Sequence, residues 1–488
     1  MQVWFNNLPV SRKLIGALLI AGLIPMAIVS MLSYSMAQNQ LEDQAFAKLK
    51  SVRDIKAAAV SRYFDQVESQ LVTLAESSQT VEAMSSFSRT FQRIIPSSKL
   101  QPEDIKNQRQ ALGDYYENQF GKTYQSKNSG KLYDTQKTLS ALSEMAVAFQ
   151  YAYIQTNPNP LGEKHLLDKA EGRAVYHNIH ENYHPNFRNF LEKFGYYDIF
   201  LVDTDGNIVY SVFKELDFAT NLLSGPWNNT GIAKATKQAL ALQAGSVAAV
   251  DFDPYGPSYD APASFLATPV VRDGRTLGAL IFQIPLETVN EIMGQRTGMG
   301  ETGESYLTGP DGHLRSDSAI NPDRTVAKSF KTVESVKDAS ESIQQAFNGE
   351  TGTSILTNYA GQSVLSAYAP INAGQFNWAI ATEIAEQEAF AGVRTLRNSA
   401  LTVAVISCAL IIAFALVISR ALTQPIHRLV RFMRTIEQTG DFQQQIDLHQ
   451  RDEIGQLAQG LRSLTSTTSG VINSVNNLLE KLAKGEHS

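Results

Sequence analysis

The sequence predicts an α+β membrane protein in which long helices and two stacked antiparallel-sheet modules lie outside the membrane. Three patterns predict it: two uncharged segments of about twenty residues, a strand–turn–strand pattern that occurs twice, and a heptad pattern near the C-terminus. The uncharged segments predict two transmembrane helices. The strand pattern predicts the sheet modules, and the heptads predict a cytoplasmic helical coiled coil.

Length and composition indicate a folded chain of several domains. The chain has 488 residues, of which 43% are hydrophobic and 18% charged, and its net charge is −6. Residues 14–398 carry 32 Lys/Arg against 41 Asp/Glu. This acidic region argues against a nucleic-acid partner, since phosphate contacts need clustered cations. The single cysteine, Cys408, cannot form an intrachain disulfide and lies in an apolar run.

The two uncharged segments predict a two-pass topology. Residues 14–34 follow Arg12 and Lys13 and are long enough to cross a bilayer; a cleaved signal peptide is the alternative. Residues 400–418 form the second span and are followed by a cationic cluster of Arg420, His427, Arg428, Arg431 and Arg434. Because cationic flanks stay in the cytoplasm, we expect both termini inside the inner membrane and a large periplasmic or extracellular domain.

A division into eight segments follows from these patterns. From the N-terminus we expect a cytoplasmic segment at 1–13, transmembrane helix 1 at 14–35, a long helix with a helical insertion at 36–195, a membrane-distal module at 196–295 and a membrane-proximal module at 296–398. We then expect transmembrane helix 2 at 399–419, a relay at 420–474 and the truncated start of a further helical unit at 475–488, where residues 482–486 echo 436–441.

The segment after the first span predicts a long helix, because apolar residues recur at heptad-like spacing from Leu49 to Leu71. Pro96 and Pro102 are expected to mark its end. Further helices are predicted at about 104–126, 131–155 and 163–194.

The strand pattern occurs in two copies. Asp205-Gly206 and Asp311-Gly312 lie 106 residues apart, each after an apolar run, and Asp-Gly in this position is a strong hairpin signal in which both turn residues need positive φ. Two more apolar runs follow in each copy, beginning at Ser264 and Ser363. Each copy therefore predicts a hairpin, a helix and a hairpin, which build an antiparallel sheet with helices on one face.

These features resemble the double Cache ectodomain of bacterial chemoreceptors, which consists of two PAS-like modules. YYDIFLVDTDGNIVYSVFKELDFATNLL at 196–223 is similar to the membrane-distal module, and GETGESYLTGPDGHLRSDS at 300–318 to the membrane-proximal one. The resemblance implies a periplasmic sensor for a small-molecule ligand. The helical insertion at about 85–195 is larger than in ordinary double Cache receptors.

Two predicted helices, each with an apolar stripe, follow the second span. After Pro425, apolar residues at coiled-coil spacing predict a first helix that Gly440 ends: Ile426, Leu429, Met433 and Ile436. Asp452-Glu453-Ile454-Gly455 opens a second helix, whose seam continues through Leu457 and Leu461 to Leu482. This arrangement resembles a HAMP relay, which implies a homodimer that exchanges two packings; a static dimerising coiled coil is the alternative.

A ligand site is expected in the distal module, between its central strands and the long helix, because acidic and aromatic residues collect there. Aromatic walls with a few polar anchors suit a small amphiphilic or cationic ligand; core aromatics and solvated acids are the alternative. The candidate residues are Tyr210, Lys214, Asp217, Trp227, Asp251, Asp253, Tyr255, Tyr259, Phe265 and Gln283. In amino-acid-binding double Cache domains an Asp at the end of the last strand holds the ligand amine. The resemblance places Gln283 there, which argues against assigning an amino-acid ligand by analogy.

Few sequence patterns for catalysis occur in the chain. It contains no phosphate-binding GxxxxGK[ST] loop and no GxSxG, and the glycine-rich residues 294–303 are interpreted as a loop before a strand. His177, His180 and His184 have a spacing that suits metal ligands on one helix face, although exposed histidines on a polar helix are the preferred interpretation. No enzymatic activity, cofactor or metal is therefore expected.

The family resemblance implies a methyl-accepting chemotaxis protein-like receptor. Its partners would be cytoplasmic signalling proteins, reached through an output module beyond residue 488. The sensor part of a histidine kinase or nucleotide cyclase is one alternative, and a membrane-tethered scaffold without output is another.

Overall fold

The computed structural model describes residues 8–331 and 340–483. The chain divides into two compact units, one comprising Glu42–Ala389 and the other Met1–Leu41 with Phe390–Ser488. The C-terminal echo at residues 482–486 lies mostly outside the described residues, and so does the first half of the N-terminal segment 1–13.

The first helix, α1 (Val10–Glu76), runs for 67 residues and continues through Pro25. It ends well before Pro96, so the expectation that Pro96 and Pro102 end it is wrong. The cause is Ser77, whose backbone is extended (φ −64°, ψ 138°) and whose hydroxyl accepts a hydrogen bond from the backbone N–H of Thr80 at 3.2 Å. Ser77 therefore caps the next helix.

A helical region lies between α1 and the first strand. It contains α2 (Ser78–Phe91), α3 (Ile94–Ser98), α4 (Pro102–Tyr115), α5 (Lys122–Lys127), α6 (Thr135–Ser140), α7 (Glu144–Gln150) and α8 (Val175–Phe194). Single wide turns, Tyr116–Gly121 and Tyr151–Gln155, extend α4 and α7. The helix expected at 163–194 begins only at Val175, because Gly172 before it has a left-handed backbone (φ +123°).

The distal module is a five-stranded antiparallel sheet in the order β2-β1-β5-β4-β3. Its elements are β1 (Asp198–Asp203), β2 (Ile208–Ser211), α9 (Gly231–Leu240), β3 (Ala248–Tyr255), β4 (Ala261–Arg272) and β5 (Arg275–Ile284). In the β1–β2 turn only Gly206 has a positive φ (+85°), so this turn differs from the expected type with two such residues. Asp198 at the start of β1 lies opposite Gln283 near the end of β5.

The proximal module is a four-stranded antiparallel sheet in the order β6-β9-β8-β7. It follows α10 (Leu286–Gly294) and contains β6 (Glu304–Thr308), α11 (Val326–Lys331), α12 (Glu341–Phe347), β7 (Gly352–Thr357), β8 (Ser363–Ala373), β9 (Phe376–Ala385) and α13 (Glu386–Ala389). The strand expected after Asp311-Gly312 is reduced to one bridge between Thr308 and Leu314. The hydroxyl oxygen of Ser316 accepts a hydrogen bond from the backbone N–H of Leu307 at 3.0 Å, in place of a backbone carbonyl from a second strand.

Within the Glu42–Ala389 unit, α1 packs against both modules and forms hydrogen bonds with their backbone. Its Phe64 packs edge-on against Trp378 of β9 at 5.4 Å between ring centroids. The guanidinium of Arg53 donates to the carbonyl of Tyr368 in β8 (3.0 Å). The ammonium of Lys56 donates to the carbonyl of Met293 in α10 (2.5 Å). The predicted α+β arrangement of long helices and two antiparallel modules is confirmed.

The other unit contains α14 (Ala391–Thr439) and α15 (Glu453–Ala483). By length and composition, α1 and α14 each contain a stretch apolar enough to cross a membrane. Gly440 has a left-handed backbone (φ +65°) and ends α14 as predicted. Leu429 packs with Ile446, Leu448 and Ala458 in a small core.

Candidate ligand-binding site

A cavity of about 270 Å³ lies between the distal module and the helical insertion. The insertion contributes Tyr115, Phe120, Thr123, Lys127, Leu161, Gly162 and Lys164 to its wall. The distal module contributes Tyr197, Phe213, Lys214, Glu215, Leu216, Pro257 and Tyr259. Aromatic rings therefore form much of the wall, and Glu215 is its acidic side chain.

Glu215 is held in place by two hydroxyl groups. Its carboxylate accepts hydrogen bonds from Tyr197 (2.8 Å) and from Ser258 (2.7 Å). Burial, and then the neighbouring Asp217, raise the pKa of Glu215 to about 8. A cation bound in the cavity would lower the pKa of Glu215 again, because it stabilises the ionised carboxylate.

Two further carboxyl groups lie buried behind Glu215. Asp198 accepts from the backbone N–H groups of Val212 (2.9 Å) and Phe213 (3.0 Å), while its second oxygen has no partner among the described residues. Asp217 accepts from the hydroxyl of Tyr255 (2.5 Å), and its other oxygen is likewise unpartnered there. Burial raises the pKa of Asp198 to about 8 and that of Asp217 to about 6.

Lys214 does not neutralise these carboxyl groups by direct pairing. Its ammonium donates to the backbone carbonyl of Ser211 (2.6 Å) and lies 5.1 Å from the ring centroid of Tyr210. Its side chain is buried, and desolvation lowers its pKa to about 7. Glu215 and the two carboxyl groups behind it thus have no direct ion pair with Lys214.

The other two lining lysines also have protein partners. Lys164 donates to the carbonyls of Asn157 (2.9 Å) and Asn159 (2.6 Å). Lys127 stands 4.5 Å above the ring of Tyr259, which stacks on Phe120 at 4.8 Å. Glu215 beside such rings is an arrangement that suits an ammonium group, since aromatic faces and a carboxylate both attract it.

The structure separates the ten residues expected at the site. Lys214 and Tyr259 line the cavity. Asp217, Tyr255 and Gln283 lie in the hydrogen-bonded layer behind Glu215, where the Gln283 amide donates to Ser258 at 3.2 Å. The oxygen of that amide has no partner among the described residues.

The other expected residues lie away from the cavity. Asp251 accepts from the guanidinium of Arg315 and from the indole N–H of Trp378, so its carboxylate is already occupied. Asp253 is exposed on β3. Aromatic packing buries the remaining three in the core: Tyr210, Trp227 and Phe265.

Sequence reasoning missed Glu215, Tyr197 and every lining residue from the insertion. Glu215 could have been found, because it stands between Lys214 and Asp217, both of which were singled out. The insertion residues carried no such signal, since a local helical pattern does not show which surface the helix covers.

The expectation of exposed histidines on α8 is wrong. His177, His180 and His184 are buried. His177 contacts the hydroxyl of Tyr153 (3.0 Å), His180 the carbonyl of Asp168 (2.6 Å) and His184 the hydroxyl of Tyr210 (2.8 Å). Burial lowers the pKa of all three, that of His177 to about 4. The described residues contain no group of three or more potential ligands arranged for a metal ion.

The expected relay residues lie at the ends and faces of α14 and α15. The helix continues through Pro425, and Asp452 caps α15 by accepting from the N–H of Gly455 (2.9 Å). A side chain at Gly455 would meet the carbonyl oxygen of Gln450 at 1.8 Å, so only glycine fits. The seam residues Leu457 and Met433 are 60% and 52% exposed in the single chain, which leaves an apolar stripe open.

Comparisons with known proteins agree with this architecture. The Cache domain family matches residues 33–393, which is most of the chain, and the HAMP domain family matches residues 417–467. The chain therefore belongs to the Cache domain family and carries a HAMP domain. The resemblance to a methyl-accepting chemotaxis receptor with these two parts is confirmed.

Two curated relatives are chemoreceptors by name. The probable chemoreceptor y4sI of Sinorhizobium fredii is 26% identical over 275 residues, which are 55% of this chain and 33% of that protein. The methyl-accepting chemotaxis protein PctB of Pseudomonas aeruginosa is 26% identical over 198 residues, which are 40% of this chain and 29% of that protein. The match thus spans about a third of the length of these relatives.

The solved structures that match part of the chain include the ligand-binding domain of the amino-acid chemoreceptor PctB of Pseudomonas aeruginosa in complex with L-Arg. It is 16% identical, with a TM-score of 0.29, and the alignment covers 41% of this chain and 76% of that one.

Proposed function

We propose that this chain is the sensing and relay part of a transmembrane chemotaxis receptor, and that its distal module binds a small molecule bearing an ammonium group. The cavity beside Glu215 carries this proposal. It combines aromatic walls with a half-buried carboxylate that accepts hydrogen bonds from the hydroxyl groups of Tyr197 and Ser258. A cation is the ligand that gains most there, because it meets both the carboxylate and the ring faces.

The size of the cavity restricts the ligand. About 270 Å³ is at the lower end of the range for small-molecule sites, and suits a compound of amino-acid size. Lys127 in the lining contacts a ring and is in none of the ion pairs among the described residues, so a ligand with an acidic group in addition to its ammonium also fits.

The membrane arrangement belongs to the same proposal. Two apolar stretches and the arginines after residue 418 support a two-pass protein of the inner membrane, with both termini in the cytoplasm and the sensor in the periplasm. The segment boundaries proposed from the sequence, with the relay at 420–474, fit this arrangement. The chain itself acts as a receptor and not as an enzyme.

The relay transmits the signal within a homodimer. The apolar stripe of α15 remains exposed in one chain at Leu464, Val471 and Leu478, and a second copy would bury it. Ligand binding displaces the second span, and the relay converts this displacement into a change of packing that cytoplasmic signalling proteins detect.

Calorimetric titration of the full chain in lipid nanodiscs tests the ligand class. The probes are phenethylamine, putrescine and L-arginine, with 2-phenylethanol as the neutral counterpart of phenethylamine. We expect at least one ammonium compound to bind, and 2-phenylethanol to bind at least tenfold more weakly than phenethylamine. Equal affinity for phenethylamine and 2-phenylethanol, or binding of none of the ammonium probes, would contradict the proposal.

A further inference from the structure

A second cavity, of about 570 Å³, lies entirely within the helical insertion. Its walls come from α2, α3 and α8 and include Ser86, Arg89, Arg93, Ser97, Val175 and Ile179. It shares no lining residue with the cavity beside Glu215. The size is in the middle of the range for small-molecule sites.

The charged wall of this cavity is cationic. Arg89 lies in the last turn of α2 and Arg93 immediately precedes α3; both are exposed, and the lining contains no acidic residue. Neither arginine takes part in an ion pair among the described residues. In a chain of net charge −6, such an unneutralised pair beside a cavity indicates an anion site.

The opposite wall is apolar. Val175, the first residue of α8, is 53% exposed, and Ile179 follows one turn later on the same helix face. Two β-branched side chains facing a cavity gain free energy when an apolar group covers them. Inorganic anions offer no such group, so the combination points to an anion with an apolar body.

We propose that this groove is a second ligand site, which binds a small carboxylate with an aromatic or short aliphatic body. The carboxylate lies between Arg89 and Arg93, where each guanidinium can donate two hydrogen bonds. The apolar body lies against Val175 and Ile179, and the hydroxyls of Ser86 and Ser97 border the charged end. The site is independent of the ammonium site proposed above, because it has its own residues and the opposite charge preference.

Titration of the full chain in nanodiscs with benzoate, hexanoate, benzyl alcohol and sulfate tests the proposal. Benzoate or hexanoate is expected to bind at least tenfold more tightly than benzyl alcohol and sulfate. The double variant Arg89→Gln/Arg93→Gln should lose at least tenfold in affinity for the carboxylate that binds, and Val175→Gln should weaken it severalfold. Both changes replace exposed side chains, and an unchanged melting temperature shows that the fold is retained.

Two matched variants locate the binding. Arg272→Gln/Arg275→Gln removes another exposed arginine pair, opposite each other in β4 and β5, and should leave carboxylate affinity unchanged. Glu215→Gln should also leave it unchanged, which separates this site from the ammonium site. Sulfate binding as tight as benzoate, loss of carboxylate binding in Glu215→Gln, or no binding of either carboxylate would overturn the proposal.

Discussion

Asp251 and Arg315 form a two-point ion pair that joins the two sheet modules. The Nε and Nη2 groups of Arg315 each donate to one oxygen of Asp251 at 2.9 Å. The side chain of Arg315 is 2% exposed and that of Asp251 27%. Because Asp251 lies on β3 of the distal module and Arg315 follows β6 of the proximal one, the pair fixes one module against the other.

Asp251→Asn is expected to destabilise the protein and leave ligand binding intact. The change leaves a buried guanidinium without a full counter-charge, which costs about 2–4 kcal/mol of unfolding free energy, while the amide oxygen can still accept from Trp378. Urea unfolding measures the loss, and Asp273→Asn in the exposed β4–β5 turn is the control. If the variant has normal stability but no longer binds phenethylamine, Asp251 contacts the ligand and the expectation is contradicted.

Ligand binding should depend on pH through Glu215. Since burial raises the pKa of this carboxyl to about 8, it must release its proton before it can face an ammonium group. Affinity for phenethylamine is therefore expected to rise with pH, by up to about tenfold per unit, and to level off above about pH 8. Titrations at several pH values measure the slope. An affinity that stays constant from about pH 6 to about pH 8 contradicts this role.

Filling the cavity from the insertion side should abolish binding without unfolding the protein. Thr123 lines the cavity and is half-buried, so Thr123→Phe places a ring where the ligand would lie. We expect phenethylamine affinity to fall at least tenfold with little change in melting temperature. The same change at exposed Thr439 is the control. Full affinity in Thr123→Phe would exclude the insertion from the site.

The histidines of α8 should make the protein less stable in acid. His177 has its pKa lowered to about 4, so the folded chain leaves it neutral while the unfolded chain protonates it below about pH 6.5. The full free energy of unfolding is therefore present above about pH 6.5. It decreases as the pH falls towards about 4, by up to about 1.4 kcal/mol per pH unit.

His177→Gln removes this pH dependence. The difference in unfolding free energy between wild type and variant, measured with urea, should therefore change by about 2 kcal/mol between about pH 7 and about pH 5. The control is His449→Gln, since His449 is 82% exposed. A pH-independent difference between His177→Gln and wild type would mean that this histidine does not titrate differently in the folded state.

A second copy of α15 should cover its apolar stripe. In a Cys408→Ser background, Leu464→Cys is expected to form a disulfide between two chains on mild oxidation, because seam residues face each other in a parallel coiled coil. Gln459→Cys lies off the seam and should cross-link much less. Cross-linking is read on a non-reducing gel, and equal yields at both positions would argue against the predicted dimer seam.

The sequence alone predicted the architecture well because its signals are local and periodic. Uncharged runs predicted the apolar stretches of α1 and α14, the seam from Ile454 predicted α15, and Gly440 predicted the end of α14. Ser77 was missed as a helix boundary because a capping serine is a weaker signal than the prolines beyond it.

The candidate site was predicted only in part, because it depends on contacts between distant segments. Lys214 and Tyr259 were found from composition, whereas Tyr115 and Phe120 reach the cavity only through the packing of the insertion. The ion pair of Asp251 could not be foreseen, because its partner, Arg315, lies 64 residues further along the chain. A carboxylate that binds a ligand and one that binds an arginine look alike in sequence.

The most direct test of the account is the affinity of the full chain for phenethylamine in wild type, Glu215→Gln and Glu144→Gln, measured by calorimetry at about pH 8. A hydrogen bond to a charged group contributes about 1.5–3 kcal/mol. We therefore expect Glu215→Gln to weaken binding by about tenfold or more, and Glu144→Gln, an exposed control on α7, to leave it unchanged. Equal affinity of all three proteins would contradict an ammonium site at Glu215.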